Sequence, residues 1–273
     1  MTRYTVNPDF HTRSVASRFS AAAQTYEHTA SVQLSVALKL MRFMADIQAP
    51  ARIVDMGCGT GLLTQLVADR FPDADLLGVD IAGNLLEIAR RRFTGNNRVS
   101  FEVANAMTFK PRRPVQLVVS ASTFHWITPM EDLFSNIAGM LEPDGNLVFS
   151  IMLRGTLIEL HESRRRVAHD KQALSVLPNA QQALAALDTA NLVVIDKHEE
   201  VTQVDFPSAT DLLYSLHNVG VTGGSLSSSG RPLTRLELAQ WLADYDACYS
   251  TPEGGVFATY RVLYVSAIPR RKA

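Results

Sequence analysis

The chain predicts an α/β fold: a doubly wound, mostly parallel seven-stranded sheet with an N-terminal helical arm and a helical insertion before the last strand. Three observations carry this. The run Ile53-Val54-Asp55-Met56 is followed by glycine at alternate positions, Gly57, Gly59 and Gly61, and then by the apolar periodic segment from Leu62. That order reads as strand, tight turn and helix. Strand and helix patterns then keep alternating, as a sheet wound through crossover helices requires. Finally, Val115 to Ala121 is almost continuously apolar, the signature of a parallel strand buried on both faces.

Taken in order, the elements are as follows. From Ser31, Val32, Val36, Leu40, Met44 and Ile47 recur at helical spacing until Pro50. Asp75 to Asp80 is the second strand, and Ala82 to Phe93 a helix whose Arg90-Arg91-Arg92 suits the negative end of the helix dipole. Arg98 to Ala104 is the third strand and Val115 to Ala121 the fourth. Pro129 to Leu141 is a helix, Glu142-Pro143-Asp144-Gly145 a turn, and Asn146 to Met152 the fifth strand. Helical patterning follows Gly155, Leu192 to Val204 is a sixth strand, and Val256 to Ile268 the last. Two helical runs, 209–219 and 234–245, and a glycine-serine linker fill the insertion between them. The expected organisation is one domain over 1–273: an arm and helix to residue 50, a cofactor-binding core over 51–152, and a lid or partner-binding insertion over 205–255.

Composition excludes several classes. An apolar fraction of 47% and a charged fraction of 19% exclude disorder for most of the chain. A net charge of -1 leaves no footprint for nonspecific nucleic-acid or membrane binding. Two cysteines, Cys58 and Cys248, form no disulfide framework or metal set and fit a reducing cytoplasm. The N-terminus shows no apolar signal core and no stretch is long enough to span a bilayer, so the expected location is cytoplasmic.

The glycine spacing indicates the ligand. G-x-G-x-G differs from the G-x-G-x-x-G of pyrophosphate sites, and Asp55 stands two residues before the first glycine. A carboxylate there repels phosphate and suits a cationic ligand such as S-adenosylmethionine, which carries an ammonium and a sulfonium. Asp80 ends the second strand, where it can accept from both ribose hydroxyls. Asp55, Asp80, Asn105 and the 120–125 segment all fall at carboxyl ends of strands, the edge where such sheets bind ligands.

VDMGCGTG followed by GVDIAGNLLEIAR resembles the class I S-adenosylmethionine-dependent methyltransferases, a Rossmann-like family. The resemblance implies Asp55, Gly57, Gly59 and Gly61 around the methionine moiety and Asp80 on the ribose, with Tyr26, Cys58, Ile81, Asn105, Ala106 and Ser120 completing the cofactor-binding set. Within that class the chain resembles the malonyl-acyl-carrier-protein O-methyltransferases of biotin synthesis, the BioC family. The pieces that carry this are FSAAAQTYEHTASVQ, Ser122-Thr123-Phe124-His125-Trp126, Arg154-Gly155-Thr156-Leu157-Ile158-Glu159-Leu160, LLYSLHNVGV, RPLTRLEL and Ala258-Thr259-Tyr260. Asn105 stands where the family commonly has an acid; its carbonyl still accepts from an adenine amino group, without charge assistance.

The resemblance implies that the free carboxylate of malonyl-acyl carrier protein takes the cofactor's methyl, leaving a methyl ester and S-adenosylhomocysteine. A carboxylate is already ionised at neutral pH, so no general base is expected. Tyr26, His125, Trp126 and Arg154 are the expected orienting groups in the pocket. An acidic carrier protein calls for a basic docking patch, for which Arg164, Arg165 and Arg166 with Arg154, or Arg231 with Arg235, are the candidates. Two other readings stay open: a methyltransferase for a free small acid or quinone precursor, and a cofactor-binding protein without turnover.

Overall fold

A computed structural model of the chain describes residues 16–22, 30–171, 177–221 and 232–271. Strands β1 (Arg52–Met56), β2 (Asp75–Asp80), β3 (Val99–Val103), β4 (Val115–Ala121), β5 (Leu141–Met152), β6 (Leu192–Phe206) and β7 (Val256–Pro269) form one sheet in the order β3-β2-β1-β4-β5-β7-β6. The pairs among β1 to β5 are parallel, and β7 runs antiparallel to both β5 and β6. Winding goes outward from β1 through β2 to β3, then returns to add β4 on its other side. The reversal opens a crevice at the carboxyl ends of β1 and β4.

The helices are α1 (Ser31–Leu40), α2 (Leu62–Arg70), α3 (Gly83–Arg92), α4 (Met130–Ala138), α5 (Ile158–Val167), α6 (Ala180–Thr189), α7 (Ala209–Asn218) and α8 (Arg235–Cys248). Residues 16–22 are also helical. Period-two alternation sends neighbouring strand residues into opposite layers. Ile53, Leu117, Val119 and Val148 pack with Leu40, Val67, Leu212 and Tyr245 from α1, α2, α7 and α8. Val54, Val118, Leu147 and Phe149 meet Phe134, Ile137 and Leu187 from α4 and α6.

One local expectation is revised. The turn expected at Glu142 to Gly145 lies inside β5, as a bulge between the pairs Val115↔Leu141 and Leu117↔Asn146. It is held because Glu142 accepts from Gln116 Nε2 at 2.9 Å and pairs with Arg52. The insertion helices start on side-chain caps: Ser208 accepts from the Asp211 N–H, and Thr234 and Glu237 form a capping box. The Tyr245 hydroxyl then donates to the Phe257 carbonyl at 2.8 Å, tying α8 to β7. No helix among the described residues is long and apolar enough to cross a membrane.

Candidate functional site

The turn after β1 has all three glycines at positive φ, +74° for Gly57, +56° for Gly59 and +85° for Gly61. An L side chain disfavours that region, so the loop is confined to glycine and exposes bare backbone. The loop is anchored to two neighbouring strands. The Gly57 and Cys58 N–H groups donate to the Val79 carbonyl at 2.7 and 3.1 Å. The Gly57 carbonyl accepts from Thr123 Oγ1 at 3.1 Å, just past β4.

Both acids stand at this turn. Asp55 is fully buried; its Oδ2 accepts from Thr64 Oγ1 at 2.6 Å, while its Oδ1 has no hydrogen-bond partner among the described residues. Burial first, and the nearby Asp80 charge, push its pKa up to about 7 despite the Thr64 bond. A buried carboxylate oxygen without a partner is costly, and a ligand ammonium would satisfy it. Asp80 accepts from the Gly59 N–H at 2.9 Å and the Ala82 N–H at 2.8 Å. A carboxylate has about four acceptor positions, so Asp80 retains capacity for a hydroxyl donor. The residues present therefore fit a cationic nucleoside cofactor.

The remaining expected cofactor contacts fall around the same edge with unequal freedom. Cys58 is buried, and its Sγ lies 2.9 Å from where a Cβ on Gly78 would stand, so it fills a tight space. Ile81 follows Asp80 directly, half-buried. Asn105 Oδ1 accepts from the Met107 N–H at 3.0 Å, leaving one lone pair for a ligand, and the Ala106 carbonyl is held by Asn136 Nδ2 at 2.8 Å. Ser120 is fully buried and its hydroxyl is spent on the Met56 carbonyl at 2.7 Å, so its side chain braces β4 against β1. Ser120→Ala should lower unfolding stability by about 1–3 kcal/mol through the orphaned Met56 carbonyl. Denaturant melts with and without S-adenosylmethionine check this: a loss specific to the liganded form would place the hydroxyl on the ligand instead.

Beyond Thr123 lies an apolar cavity. Ser122 and His125 line it, together with Leu160 of α5, Leu216 of α7 and Trp241 of α8. Ser122 has φ 55° and a buried hydroxyl without a partner among the described residues. His125 Nδ1 accepts from the Met152 N–H at 3.3 Å, which puts the ring proton on Nε2, and burial lowers its pKa to about 3. Trp126 is buried under Phe19, with edge-to-face ring centres 5.7 Å apart, and Arg18 lies 5.8 Å from its ring centre.

Several of the substrate and docking residues expected from the resemblance stand apart from the cavity or lie outside the described residues. Arg154 is exposed and not among the residues lining the cavity, because the turn after β5 is fixed by β7. There the Leu153 N–H donates to the Arg261 carbonyl and the Leu157 N–H to the Thr259 carbonyl, which buries Leu153 and Thr156 and leaves Arg154 outside. Arg164 to Arg166 do not form one patch, since consecutive helix residues point in different directions. Arg164 is buried in the cavity wall, Arg166 pairs with Asp244 at 2.7 Å, and Arg165 is exposed. Arg235 is exposed at the start of α8, whereas Tyr26 and Arg231 lie outside the described residues. Ser122 lies in the 120–125 segment already expected at the ligand edge, whereas His161 and Arg164 entered the cavity wall without being assigned there from sequence; only the packing of α5 shows it.

Comparison with known proteins gives the fold and the family. A family model described as a methyltransferase domain matches residues 53–145. Among solved structures, the YcgJ protein from Bacillus subtilis superposes with a TM-score of 0.60 at 16% identity, covering 86% of this chain and 99% of that one. A geranyl diphosphate C-methyltransferase from Streptomyces coelicolor, solved with S-adenosyl-L-homocysteine, gives a TM-score of 0.51 at 18% identity over 86% of this chain and 78% of that one. A malonyl-acyl-carrier-protein O-methyltransferase from Brevibacillus brevis is 29% identical, covering 95% of this chain and 97% of its own. The enzyme of the same description from Anoxybacillus flavithermus is 31% identical over 91% of this chain and 94% of its own, and on that similarity the chain belongs to the malonyl-acyl-carrier-protein O-methyltransferase family.

Proposed function

We propose that this methyltransferase esterifies the free carboxylate of a malonyl thioester carried on acyl carrier protein, using S-adenosylmethionine. The observation that carries this reading is the 122–126 segment, which is shared by two sites: Thr123 holds the Gly57 turn while Ser122 and His125 line the apolar cavity. When bound, the cofactor supplies an electrophilic methyl on a sulfonium. Asp55 and Asp80 would hold its amino and ribose groups, and Asn105 its adenine. Leu216 of α7 and Trp241 of α8 add apolar wall on the acceptor side.

The chain's own contribution is alignment. His125 stays neutral throughout the physiological range, with Nδ1 occupied by the Met152 N–H. Its Nε2–H is therefore a donor that can orient a carboxylate without removing its charge. It is not a base, and an acceptor carboxylate of pKa about 4 needs none. His125→Phe should lower kcat by roughly tenfold, about the loss of one orienting bond to a charged group, while His125→Asn retains more. At saturating cofactor, wild-type kcat should stay flat between pH 6 and 8; a rate that rises with a pKa near 6.5 and flattens in His125→Asn would make it a base.

The reading is tested by methyl transfer from labelled S-adenosylmethionine to malonyl-acyl carrier protein, malonyl-CoA and free malonate. Ester formed preferentially on the carrier supports it. Cofactor binding with no ester on any malonyl compound overturns it.

A further inference from the structure

Three side-chain hydroxyls lie between residues 120 and 123, at the end of β4, and the fold uses two of them. Ser120 donates to the Met56 carbonyl at 2.7 Å, and Thr123 to the Gly57 carbonyl at 3.1 Å. The Ser122 hydroxyl is buried and has no hydrogen-bond partner among the described residues. Such a group has lost its hydration and gained nothing from the fold in return. Its backbone is unfavourable as well. Ser122 has φ 55°, in the left-handed region that an L side chain disfavours. Among the described residues four that are not glycine have positive φ: Ala49, Ser122, Leu157 and Asn191. Asparagine tolerates that region, and of the other three Ser122 and Leu157 both line the cavity. Outliers of this kind persist where the surroundings impose them, and they gather at ligand sites. The Ser122 N–H is imposed from β5, donating to the Ser150 carbonyl at 3.0 Å. Glycine would adopt the same backbone without strain, which leaves the serine side chain itself to be explained.

We infer that the Ser122 hydroxyl binds the acceptor's free carboxylate, donating to one oxygen while the other faces the methyl. This rests on the reaction proposed above. The place follows from the next residue: Thr123 holds the cofactor turn, so Ser122 stands where the reacting end of an acceptor in the cavity must arrive. His125, three residues on, lines the same cavity and offers its Nε2–H. A single hydrogen bond lets a carboxylate pivot, whereas two donors fix its plane and so the direction of the free oxygen. The serine proton is not transferred, because an ionised carboxylate needs no base. Ser122 and His125 therefore act as a pair of orienting donors on one group.

Ser122→Ala and Ser122→Gly separate this role from a structural one, because neither removes a side-chain hydrogen bond of the fold. Tm should stay within about 2 °C of wild type in Ser122→Ala and rise by roughly 1–4 °C in Ser122→Gly, where the strain is relieved. With malonyl-acyl carrier protein, kcat/KM should nevertheless fall roughly ten- to a hundredfold in both, the range for a bond to a charged group. S-adenosylmethionine affinity should change by no more than a few fold. A double-mutant cycle with His125→Phe asks whether the two donors hold one group: the double variant should lose several fold less than the product of the single losses. A further measurement needs no turnover: calorimetric binding of malonyl-CoA and acetyl-CoA, which differ by the carboxylate, to protein saturated with S-adenosylhomocysteine. Wild type should prefer malonyl-CoA, and Ser122→Ala should lose roughly tenfold of that preference. A Ser122→Ala protein that keeps the wild-type kcat/KM or the wild-type preference overturns the inference. So does an activity loss matched by a fall in Tm, or strict additivity with His125→Phe. A wild type that makes no ester but prefers malonyl-CoA through Ser122 would sink the proposed reaction and leave the carboxylate contact standing.

Discussion

Replacing Gly57 by alanine is expected to destroy S-adenosylmethionine binding, with an affinity loss of about a hundredfold or more, and to destabilise the fold by roughly 2–5 kcal/mol. Two costs add. At φ +74° a Cβ is strained whatever surrounds it. The new methyl would also stand 2.2 Å from Thr123 Cγ2, 2.4 Å from its Oγ1 and 2.7 Å from its Cβ, so either the turn or the segment after β4 must move. Because Thr123 holds the Gly57 carbonyl and neighbours Ser122, displacement disturbs the cofactor turn and the acceptor cavity together.

Gly59 provides the contrast on the same loop. A Cβ there meets nothing closer than Leu85 Cδ1 at 4.0 Å, so Gly59→Ala should cost only the backbone strain, about 1–2 kcal/mol of stability. Equilibrium unfolding separates the two. A double-mutant cycle with Thr123→Gly assigns the cause: the second change should restore part of the Gly57→Ala loss. Strict additivity would show that the 57–123 contact is not what confines the turn to glycine.

These residues also mark how far the chain could be read without coordinates. β2 and β4 begin and end where the apolar runs do, and the glycine turn follows from local spacing, because strand burial and positive φ are decided within a few residues. Asp55 and Asp80 reached the crevice for the same reason: a strand end fixes where its last side chains stand. Arg154 stands outside the cavity lining because the turn that carries it is fixed from far along the chain, by the Leu153 N–H on the Arg261 carbonyl and the Leu157 N–H on the Thr259 carbonyl. The Arg164-Arg165-Arg166 run looked like one charge patch in sequence, yet a helix sends its members to a cavity, to solvent and to Asp244. Spacing carries element type well, but which side chains share a cavity depends on how α5, α7 and α8 pack.

The second large effect concerns Asp55, whose replacement by asparagine should weaken S-adenosylmethionine binding roughly ten- to a hundredfold at pH 8 and remove its pH dependence. With a pKa raised from 3.8 to about 7, Asp55 is largely protonated in the free protein at pH 6. The sign follows. In the unfolded chain the same group ionises near 3.8, so the free fold loses stability as pH rises from there through 7, where the buried oxygen without a partner must become charged. A ligand ammonium favours the ionised form, so binding below pH 7 has to expel a proton. Affinity should therefore fall by about tenfold for each pH unit below 7. It should hold best between about pH 7 and 8, until the ligand's own amino group begins to deprotonate near pH 8. Calorimetry at pH 5.5, 6.5 and 7.5 in buffers of different ionisation enthalpy counts the proton directly. Asparagine keeps an oxygen for the Thr64 hydroxyl, so the fold should persist while the proton release disappears. If the release survives in Asp55→Asn, the titrating carboxylate is Asp80, whose pKa burial also raises, and the ammonium lies nearer β2 than β1.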